Sequence, residues 1–486
     1  MAKHIVLVPG FAGFDALGGL RYYAGVTEEF RRVRRADARL HYFDNFPTAS
    51  VAQRAARLRK FLAKLCVRGV LALGDELTLV GHSTGGLDIR RLLRDLREGD
   101  AEQPGPLATF VDGCSEPVKA SLLRGLIRRV VFVSVPHFGT NIGDYFHKLR
   151  TPIQAAAASA AEAVRRNEAL PRFISELSAS ALASSRCELL DAIADTLRET
   201  DERASVLQRA DEREARFQLL LWLDHVRRDI SALSDLRSYD PRDQRGEVSP
   251  AFHGPEQRQR ELDDFAAPAP LPDGPARVPV PPIDVLSFAT LVRQPAGGGA
   301  IASVAHHAAV TAARLLDYVG PPVQLASRIF PGSEIARDLA SGALSLGLFV
   351  RFGVEPESLF WHAHALCADK RLPFARPDGI APGGVRLFEP GTPSFSSTLD
   401  LTERDNDGIV NTLSMLWPYD PARRAHPHYL LEADHADVLG HHESRAEPKP
   451  LPGGRRRAAY DIFQSGAGFT SARFQALWQQ IFRFAL

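Results

Sequence analysis

The stretch LTLVGHSTGGLDIRRLL, residues 77–93, gives the clearest indication of the fold. Its first four residues are apolar or β-branched, as expected for a buried parallel strand. After the serine, leucine and isoleucine recur at helical spacing with charged residues between them. Between the two patterns lies G-x-S-x-G, in which Gly81 and Gly85 flank Ser83. The stretch therefore predicts a strand, a sharp turn and a helix, with a serine at the turn.

The glycines around Ser83 have a steric reason. In a strand–turn–helix elbow the central residue takes a positive φ, which costs free energy for any residue other than glycine. The residues two positions away must be small, because the backbones of the strand and the helix nearly touch there. A chance G-x-S-x-G at an ordinary turn is the alternative. The flanking patterns favour Ser83 as an exposed nucleophile.

The composition of the 486 residues is that of a globular protein, with 45% hydrophobic and 24% charged residues and a net charge of +1. Basic residues are matched by acidic ones, so we expect no nucleic-acid partner. The cysteines lie far apart and form no C-x-x-C pair, which argues against a disulfide framework or a thiolate zinc site. They are Cys66, Cys114, Cys187 and Cys367.

The N-terminal residues MAKHIVLVPGFAGF contain an apolar run too short for a signal peptide, so we interpret the run at 5–8 as the first core strand. No apolar stretch approaches the roughly 20 residues that a membrane helix requires. If Met1 is the native start, we expect a cytoplasmic protein. A chain from which a leader had been removed would look the same, and that protein would be secreted.

Short apolar strands alternate with helical patterns such as VAQRAARLRKFLAKL at 51–65. This alternation predicts a mostly parallel sheet with helices on both faces, and together with the elbow it indicates an α/β-hydrolase fold. The strands are expected at 4–8, 39–43, 77–81, 129–135, 284–289 and 428–432.

The domain organisation follows from composition shifts along the chain. Residues 1–149, 283–292 and 397–486 are expected to form the hydrolase core. Residues 150–282 are rich in helix formers and end in a Pro-rich connection, so they predict a large, mainly helical cap or lid. Residues 293–396 are expected to be a second insertion that forms part of the cap.

A serine hydroxyl needs an adjacent base, usually an imidazole oriented by a carboxylate. In this fold class the chain order is serine, acid, histidine. HYLLEADHADVLG (428–440) offers His435 directly after an apolar strand, and RDNDGIVNTLSM (404–415) offers the acid. We choose Asp407, because Gly408 allows a sharp turn after it, and keep Asp405 as the second candidate.

The remaining expectations near the elbow concern main-chain donors and neighbouring side chains. Backbone N–H groups best stabilise a developing oxyanion, and Phe11 and Thr84 are expected to supply them. His82 is expected to point away from Ser83 and to pack beneath the site without a chemical role. Asp88 and Arg90 are expected to form a local ion pair.

The sequence resembles bacterial true lipases of the Geobacillus and Staphylococcus type. The motifs PGFAG, GHSTGG, SVPHFGT, LSFAT, NDGIVNTLSM and DHADVLG occur in the order found in that family, over residues 4–145, 284–292 and 397–442. The resemblance implies a serine ester hydrolase that acts on lipid-like esters. It also implies Ser83, Asp407 and His435 as the catalytic triad and Phe11 and Thr84 as oxyanion donors.

The same resemblance raises the question of metals. Those lipases bind zinc, but His41 is the only histidine in residues 5–81, so we expect that site to be absent, with Asp235 at the place of one zinc aspartate. The family also binds calcium next to the catalytic histidine, where this chain has Asp437. The following ligand position falls near His441 and His442, and imidazole is a poor ligand for a hard cation.

These observations predict a lipase or carboxylesterase that works through an acyl-enzyme and requires no cofactor, with calcium at Asp437 as an open alternative. The expected partner is a small-molecule or lipid ester, with transient contact with a lipid interface. Acyl transfer and polyester hydrolysis by the same triad remain alternatives. A catalytically dead hydrolase-fold binding protein is the non-enzymatic alternative.

Overall fold

The computed structural model describes the sheet, most helices that cover it and the loops at one end of the strands. The described residues are 1–98, 120–148, 220–237, 282–293, 356–369, 386–388, 401–416, 428–442 and 465–486, except 14, 15, 18, 19 and 403, with scattered positions between 150 and 218 and residue 463.

The centre of the molecule is a seven-stranded sheet in the order β4-β1-β5-β6-β7-β9-β8. Every pair of neighbouring strands in it is parallel, so all carboxyl ends lie at one edge. Its strands are β1 (Lys3–Val8), β4 (Ala38–Tyr42), β5 (Glu76–His82), β6 (Ile127–Val133), β7 (Asp284–Leu291), β8 (Arg386–Leu387) and β9 (His428–Glu432). The short β2 (Ala16–Leu17) and β3 (Leu20–Arg21) form a separate antiparallel pair.

Helices cover both faces of the sheet. Helix α2 begins after Ser50, whose side chain accepts the N–H of Gln53, so this end carries a side-chain cap. Among the described residues the bounded helices are α1 (Val26–Val33), α2 (Val51–Val67), α3 (Thr84–Glu98), α4 (Ala120–Leu126), α5 (Asn141–Lys148), α6 (Ala232–Asp235), α7 (Pro356–Asp369) and α8 (Ser471–Ala485). Residues 220–228 are also helical.

The alternation of side chains along β1 divides the core into two layers. Val6 and Val8 belong to the cluster that packs against α2, α3 and α4. Ile5 and Leu7 belong to the cluster on the opposite face, which contains Trp478 of α8. Successive residues of a strand point to opposite faces, so a continuous apolar strand fills both layers, as the parallel sheet requires.

The six predicted strands and the helix at 51–65 occur within one to two residues of their predicted bounds. The sheet also contains β8, which falls in the range predicted as the second insertion and pairs with β9. Two residues are too short to give a sequence pattern, so only pairing reveals this strand. Most of 150–282 and 293–396 lies outside the described residues. Within the part that is described, no helix is long and apolar enough to cross a membrane.

Candidate active site

The predicted elbow forms between β5 and α3. Ser83 has a φ of 53°, in the left-handed region that residues with a side chain rarely adopt. Its N–H donates to the carbonyl oxygen of Val133 at 3.0 Å, and its own carbonyl accepts the N–H of Gly86 at 3.0 Å. These bonds, one on each side of the residue, hold Ser83 in its strained conformation at the carboxyl end of the sheet.

Glycine is required at both flanking positions. A Cβ at Gly81 would lie 2.6 Å from the Cα of Gly86, and a Cβ at Gly85 would lie 2.2 Å from the carbonyl oxygen of Val8. Neither backbone contact can be relieved by rotating a side chain. The spacing in the motif therefore reflects the close approach of α3 to β5 and β1.

The predicted base and acid are in contact. The Nδ1 of His435, in the loop after β9, lies 2.7 Å from Oδ2 of Asp407, in the loop before β9. The N–H of His435 also donates to the carbonyl oxygen of Asp407 at 3.2 Å. The second candidate, Asp405, instead accepts the N–H of Thr402 at 2.6 Å. The structure thus brings Asp407, and not Asp405, to the imidazole.

Asp407 is fully buried, and its carboxylate is surrounded by donors. Oδ1 accepts the amide protons of Ile409 at 3.1 Å and Val410 at 2.8 Å. Oδ2 accepts the hydroxyl of Thr290 at 2.6 Å as well as the imidazole. Because a buried carboxylate must have its hydrogen-bonding capacity met, these donors hold the Asp407 carboxylate in one orientation.

A second hydroxyl extends this network. The oxygen of Ser134 lies 2.8 Å from that of Thr290, and both side chains are buried. The Thr290 hydroxyl is oriented to donate toward either Asp407 or Ser134, and its single proton serves one of them at a time. Thr290 is the penultimate residue of β7, and Ser134 follows β6. Sequence reasoning missed both, because their role depends on which strands are neighbours.

His82 connects the elbow to the predicted base. Its ring centroid lies 4.7 Å from that of His435, and its Nε2 lies 3.1 Å from the main-chain oxygen of His435. The imidazole of His435 is therefore packed against the residue that precedes Ser83. His82 is buried beneath the site, as expected, but it is more than packing, since both of its ring nitrogens are hydrogen-bonded.

The predicted oxyanion donors, Phe11 and Thr84, have main-chain N–H groups without an acceptor among the described residues. In the loop after β1, the N–H of Gly10 donates to the hydroxyl of Tyr22 and that of Ala12 donates to the carbonyl oxygen of Pro47. The amide N–H groups of Phe11 and Thr84 donate to no residue that the structure describes. Two such donors are what an oxyanion hole requires.

The expectation of a local ion pair between Asp88 and Arg90 is wrong. Asp88 accepts from Arg54 at 2.8 Å, and Arg90 donates to the carbonyl oxygen of His137 at 2.9 Å. Residues two apart on a helix point to different sides. Burial raises the pKa of Asp88 to about 7, against the opposing charge of Arg54. Because Arg54 also donates to the carbonyl oxygen of Pro9 at 3.2 Å, it ties α3 to the loop that carries Phe11.

A described part of the predicted helical insertion contacts this loop. The indole N–H of Trp222, in the helical residues 220–228, donates to the carbonyl oxygen of Ala12 at 3.1 Å. Phe11 packs against the apolar cluster that contains Leu223 and Val226. The insertion thus places apolar side chains beside the amide of Phe11.

Asp437 and Asp235, the two residues considered as metal ligands, both accept hydrogen bonds from main-chain N–H groups. Oδ2 of Asp437 accepts the N–H of Asp434 at 2.9 Å, and Oδ2 of Asp235 accepts the N–H of Val51 at 2.8 Å. Nowhere in the described ranges do three His, Cys, Asp or Glu side chains form a group that could hold a metal. Calcium takes six to eight oxygen ligands. Calcium binding by Asp437 stays a prediction, and the proposed reaction does not depend on it.

The parallel sheet, the elbow after β5, and an acid and a histidine in the loops around β9 define an α/β-hydrolase fold. No protein-family model and no curated protein matches the chain.

Several solved structures are similar to this chain, at low identity. A lipase from Staphylococcus hyicus is 13% identical with a TM-score of 0.40, over 99% of this chain and 95% of that one. Lipase 1 from Pelosinus fermentans is 14% identical with a TM-score of 0.40, over 99% of each chain. EstA from Clostridium botulinum is 15% identical with a TM-score of 0.38, over 97% and 88%. All three are distant from this chain in sequence.

Proposed function

We propose that this protein is a serine ester hydrolase that cleaves lipid-like carboxylic esters through an acyl-enzyme intermediate. The observation that carries the proposal is the strained Ser83 at the elbow, together with His435, which packs against the residue before Ser83 and whose Nδ1 lies 2.7 Å from a buried carboxylate. A hydroxyl is a weak nucleophile on its own, and this is the group of residues that activates one.

In the proposed reaction, Ser83 attacks the ester carbonyl carbon while Nε2 of His435 accepts the hydroxyl proton. Asp407 holds the imidazole by its bond to Nδ1 and stabilises the positive charge that forms. The N–H groups of Phe11 and Thr84 donate to the carbonyl oxygen as it becomes an oxyanion.

The protonated His435 then gives its proton to the leaving alkoxide, so that the alcohol departs and the acyl group stays on Ser83. Water attacks this acyl-enzyme as His435 removes its proton. The proton returns to Ser83 when the carboxylic acid leaves.

Two features support an apolar acyl group. Phe11 packs against the apolar cluster of the insertion, directly beside the proposed oxyanion donors. Phe217 and Leu221, which lie four residues apart in the same segment, are 60% and 49% exposed. These support contact with a lipid surface. A rate series over acyl length, with dissolved and emulsified esters and with a polyester, will define the substrate class.

The test of the nucleophile is Ser83→Ala. We expect ester hydrolysis to be lost and the thermal midpoint to be kept, because the hydroxyl is the attacking atom. A fluorophosphonate should label the Ser83 peptide and spare Ser134, which has a similar φ of 51° and is a matched internal control. Near-normal turnover by Ser83→Ala would contradict the role of Ser83 as the nucleophile. Failure of the wild type to be labelled would contradict the proposal and favour a binding protein. Product analysis with an added alcohol separates hydrolysis from acyl transfer.

A further inference from the structure

Two side chains that the proposed mechanism does not use lie directly beside Ser83. The hydroxyl oxygen of Tyr22 accepts the N–H of Gly10 at 2.8 Å and lies 2.7 Å from Nδ1 of His82. The other ring nitrogen of His82, Nε2, lies 3.1 Å from the main-chain oxygen of His435. Tyr22 and His82 therefore form a continuous hydrogen-bonded connection from the loop after β1 to the proposed base.

The direction of each hydrogen bond in this connection follows from chemistry. Burial, together with the nearby His435, holds the pKa of His82 well below its usual value, so the ring is neutral. A neutral imidazole has one N–H donor and one acceptor nitrogen. The carbonyl oxygen of His435 can only accept, so Nε2 carries the proton and Nδ1 accepts.

The role of Tyr22 is then fixed as well. Burial raises the pKa of its hydroxyl, which therefore keeps its proton. The hydroxyl donates this proton to Nδ1 of His82, and its oxygen accepts from Gly10. Each group has a single role: the amide donates to the phenol, the phenol to the imidazole, and the imidazole to the carbonyl oxygen of His435.

Close packing makes this connection stiff. A Cβ on Gly10 would lie 2.6 Å from the Cβ of Ser83 and 2.7 Å from the hydroxyl oxygen of Tyr22. Gly10 is thus held between the nucleophile and the phenol. Because Phe11 is the next residue, a shift of the Tyr22 hydroxyl moves the proposed oxyanion donor relative to Ser83.

We propose that Tyr22 and His82 are positioning residues that fix the oxyanion loop and His435 relative to Ser83. The inference rests on the proposed function, and it assigns His82 a role through its hydrogen bonds. Neither residue touches the reacting atoms. Their contribution is to hold the donor and the base where the transition state needs them, which matters because small displacements of such groups slow a reaction strongly.

The experiment is the substitution Tyr22→Phe, measured with a dissolved ester. It removes the donor to His82 and the acceptor of Gly10 while keeping the ring. We expect kcat to fall about 10- to 100-fold with KM within about twofold, since the groups it misplaces act in the transition state. Tyr42→Phe is the matched control: Tyr42 is also partly buried, and its hydroxyl lies 2.6 Å from that of Thr27 rather than bonding to His82 or Gly10. It should keep kcat.

A second pair of variants keeps the test decisive if Tyr22→Phe folds poorly. His82→Gln retains one donor and one acceptor, whereas His82→Leu retains neither. We expect the Leu variant to lose kcat and the Gln variant to recover part of it. The rate of Ser83 labelling by a fluorophosphonate should fall in parallel, which provides a readout that needs no ester substrate.

Each result has a defined consequence. If Ser83→Ala in the same series keeps its activity, the proposed function fails. If Ser83→Ala is inactive but Tyr22→Phe and His82→Leu keep the wild-type kcat and labelling rate, only the positioning role is overturned. Equal losses in Tyr22→Phe and Tyr42→Phe, or in His82→Gln and His82→Leu, would overturn it too, because a purely structural role does not distinguish within these pairs.

Discussion

Two histidine pairs, each with one carboxylate, lie toward opposite ends of the same sheet. At the carboxyl ends, His82 packs on His435, which contacts Asp407 at 2.7 Å. Toward the amino ends, Nδ1 of His4 lies 3.0 Å from Nε2 of His41, and Nε2 of His4 lies 3.4 Å from Asp75. Both groups contain the same residue types, yet only one has the surroundings of an active site.

The difference lies in what else each end of the sheet supplies. At the carboxyl ends, loops bring the strained Ser83 and the amides of Phe11 and Thr84 to the histidine pair. Toward the amino ends, Asp75 accepts the N–H groups of Ala2 and Ala72, so its carboxylate stabilises the neighbouring backbone. In parallel α/β sheets, sites form outside the carboxyl ends of the strands. The position of a histidine–carboxylate pair, rather than its composition, therefore favours the proposed catalytic role of His435 and Asp407.

The largest expected difference between the two groups comes from neutralising each carboxylate. Asp407→Asn should lower kcat about 10⁴-fold, because an amide holds the imidazole in the wrong tautomer. Asp75→Asn should leave kcat unchanged and lower the thermal midpoint, since it weakens bonds to Ala2 and Ala72. Steady-state kinetics and thermal unfolding of both variants measure this. Equal losses of kcat would mean that His4, His41 and Asp75 also contribute to ester hydrolysis.

A smaller effect is expected from the hydroxyl that supports Asp407. Thr290→Val removes the donor to Oδ2 at nearly constant volume, so the Asp407 carboxylate should hold the imidazole less firmly and kcat should fall about tenfold. Thr78→Val is the control, because Thr78 is a buried strand threonine whose hydroxyl bonds to the carbonyl oxygen of Ala485 in α8. Wild-type kcat in Thr290→Val would show that the amides of Ile409 and Val410 are sufficient to orient the Asp407 carboxylate.

The smallest effect concerns stability against acid and arises at His4, His41 and Asp75, toward the amino ends of the strands. Burial and the adjacent His4 lower the pKa of His41 to about 4. The unfolded state therefore binds the proton more tightly, so stability is full above the ordinary histidine pKa and is lost as the pH falls toward the lowered value.

His41→Gln should remove part of this dependence. Between about pH 7 and about pH 5, the free energy of unfolding measured with denaturant should fall by roughly 1 kcal/mol more in the wild type than in the variant, after allowance for the partial exposure of His41. A wild type and a variant with parallel pH profiles would contradict the lowered pKa. The kcat of the variant at neutral pH should not change.

Much of the fold was predictable because its signals are local. Apolar runs of the right length gave six strands of the sheet, and the glycine spacing around Ser83 gave the elbow. The choice of Asp407 over Asp405 followed from the glycine after it, and the structure brings that carboxylate to His435. These features depend on residues within one turn or one strand of each other.

What the sequence determined by itself is therefore the parallel α/β architecture, the strained serine and the residue types that accompany it. Only the tertiary structure decided the partners: Asp88 with Arg54 rather than Arg90, Thr290 with Asp407, and β8 beside β9. It also decided that His82 reaches Tyr22 and His435. The physical reason is that backbone conformation is set by neighbours in the chain, whereas hydrogen-bond partners are set by which strands and helices pack side by side.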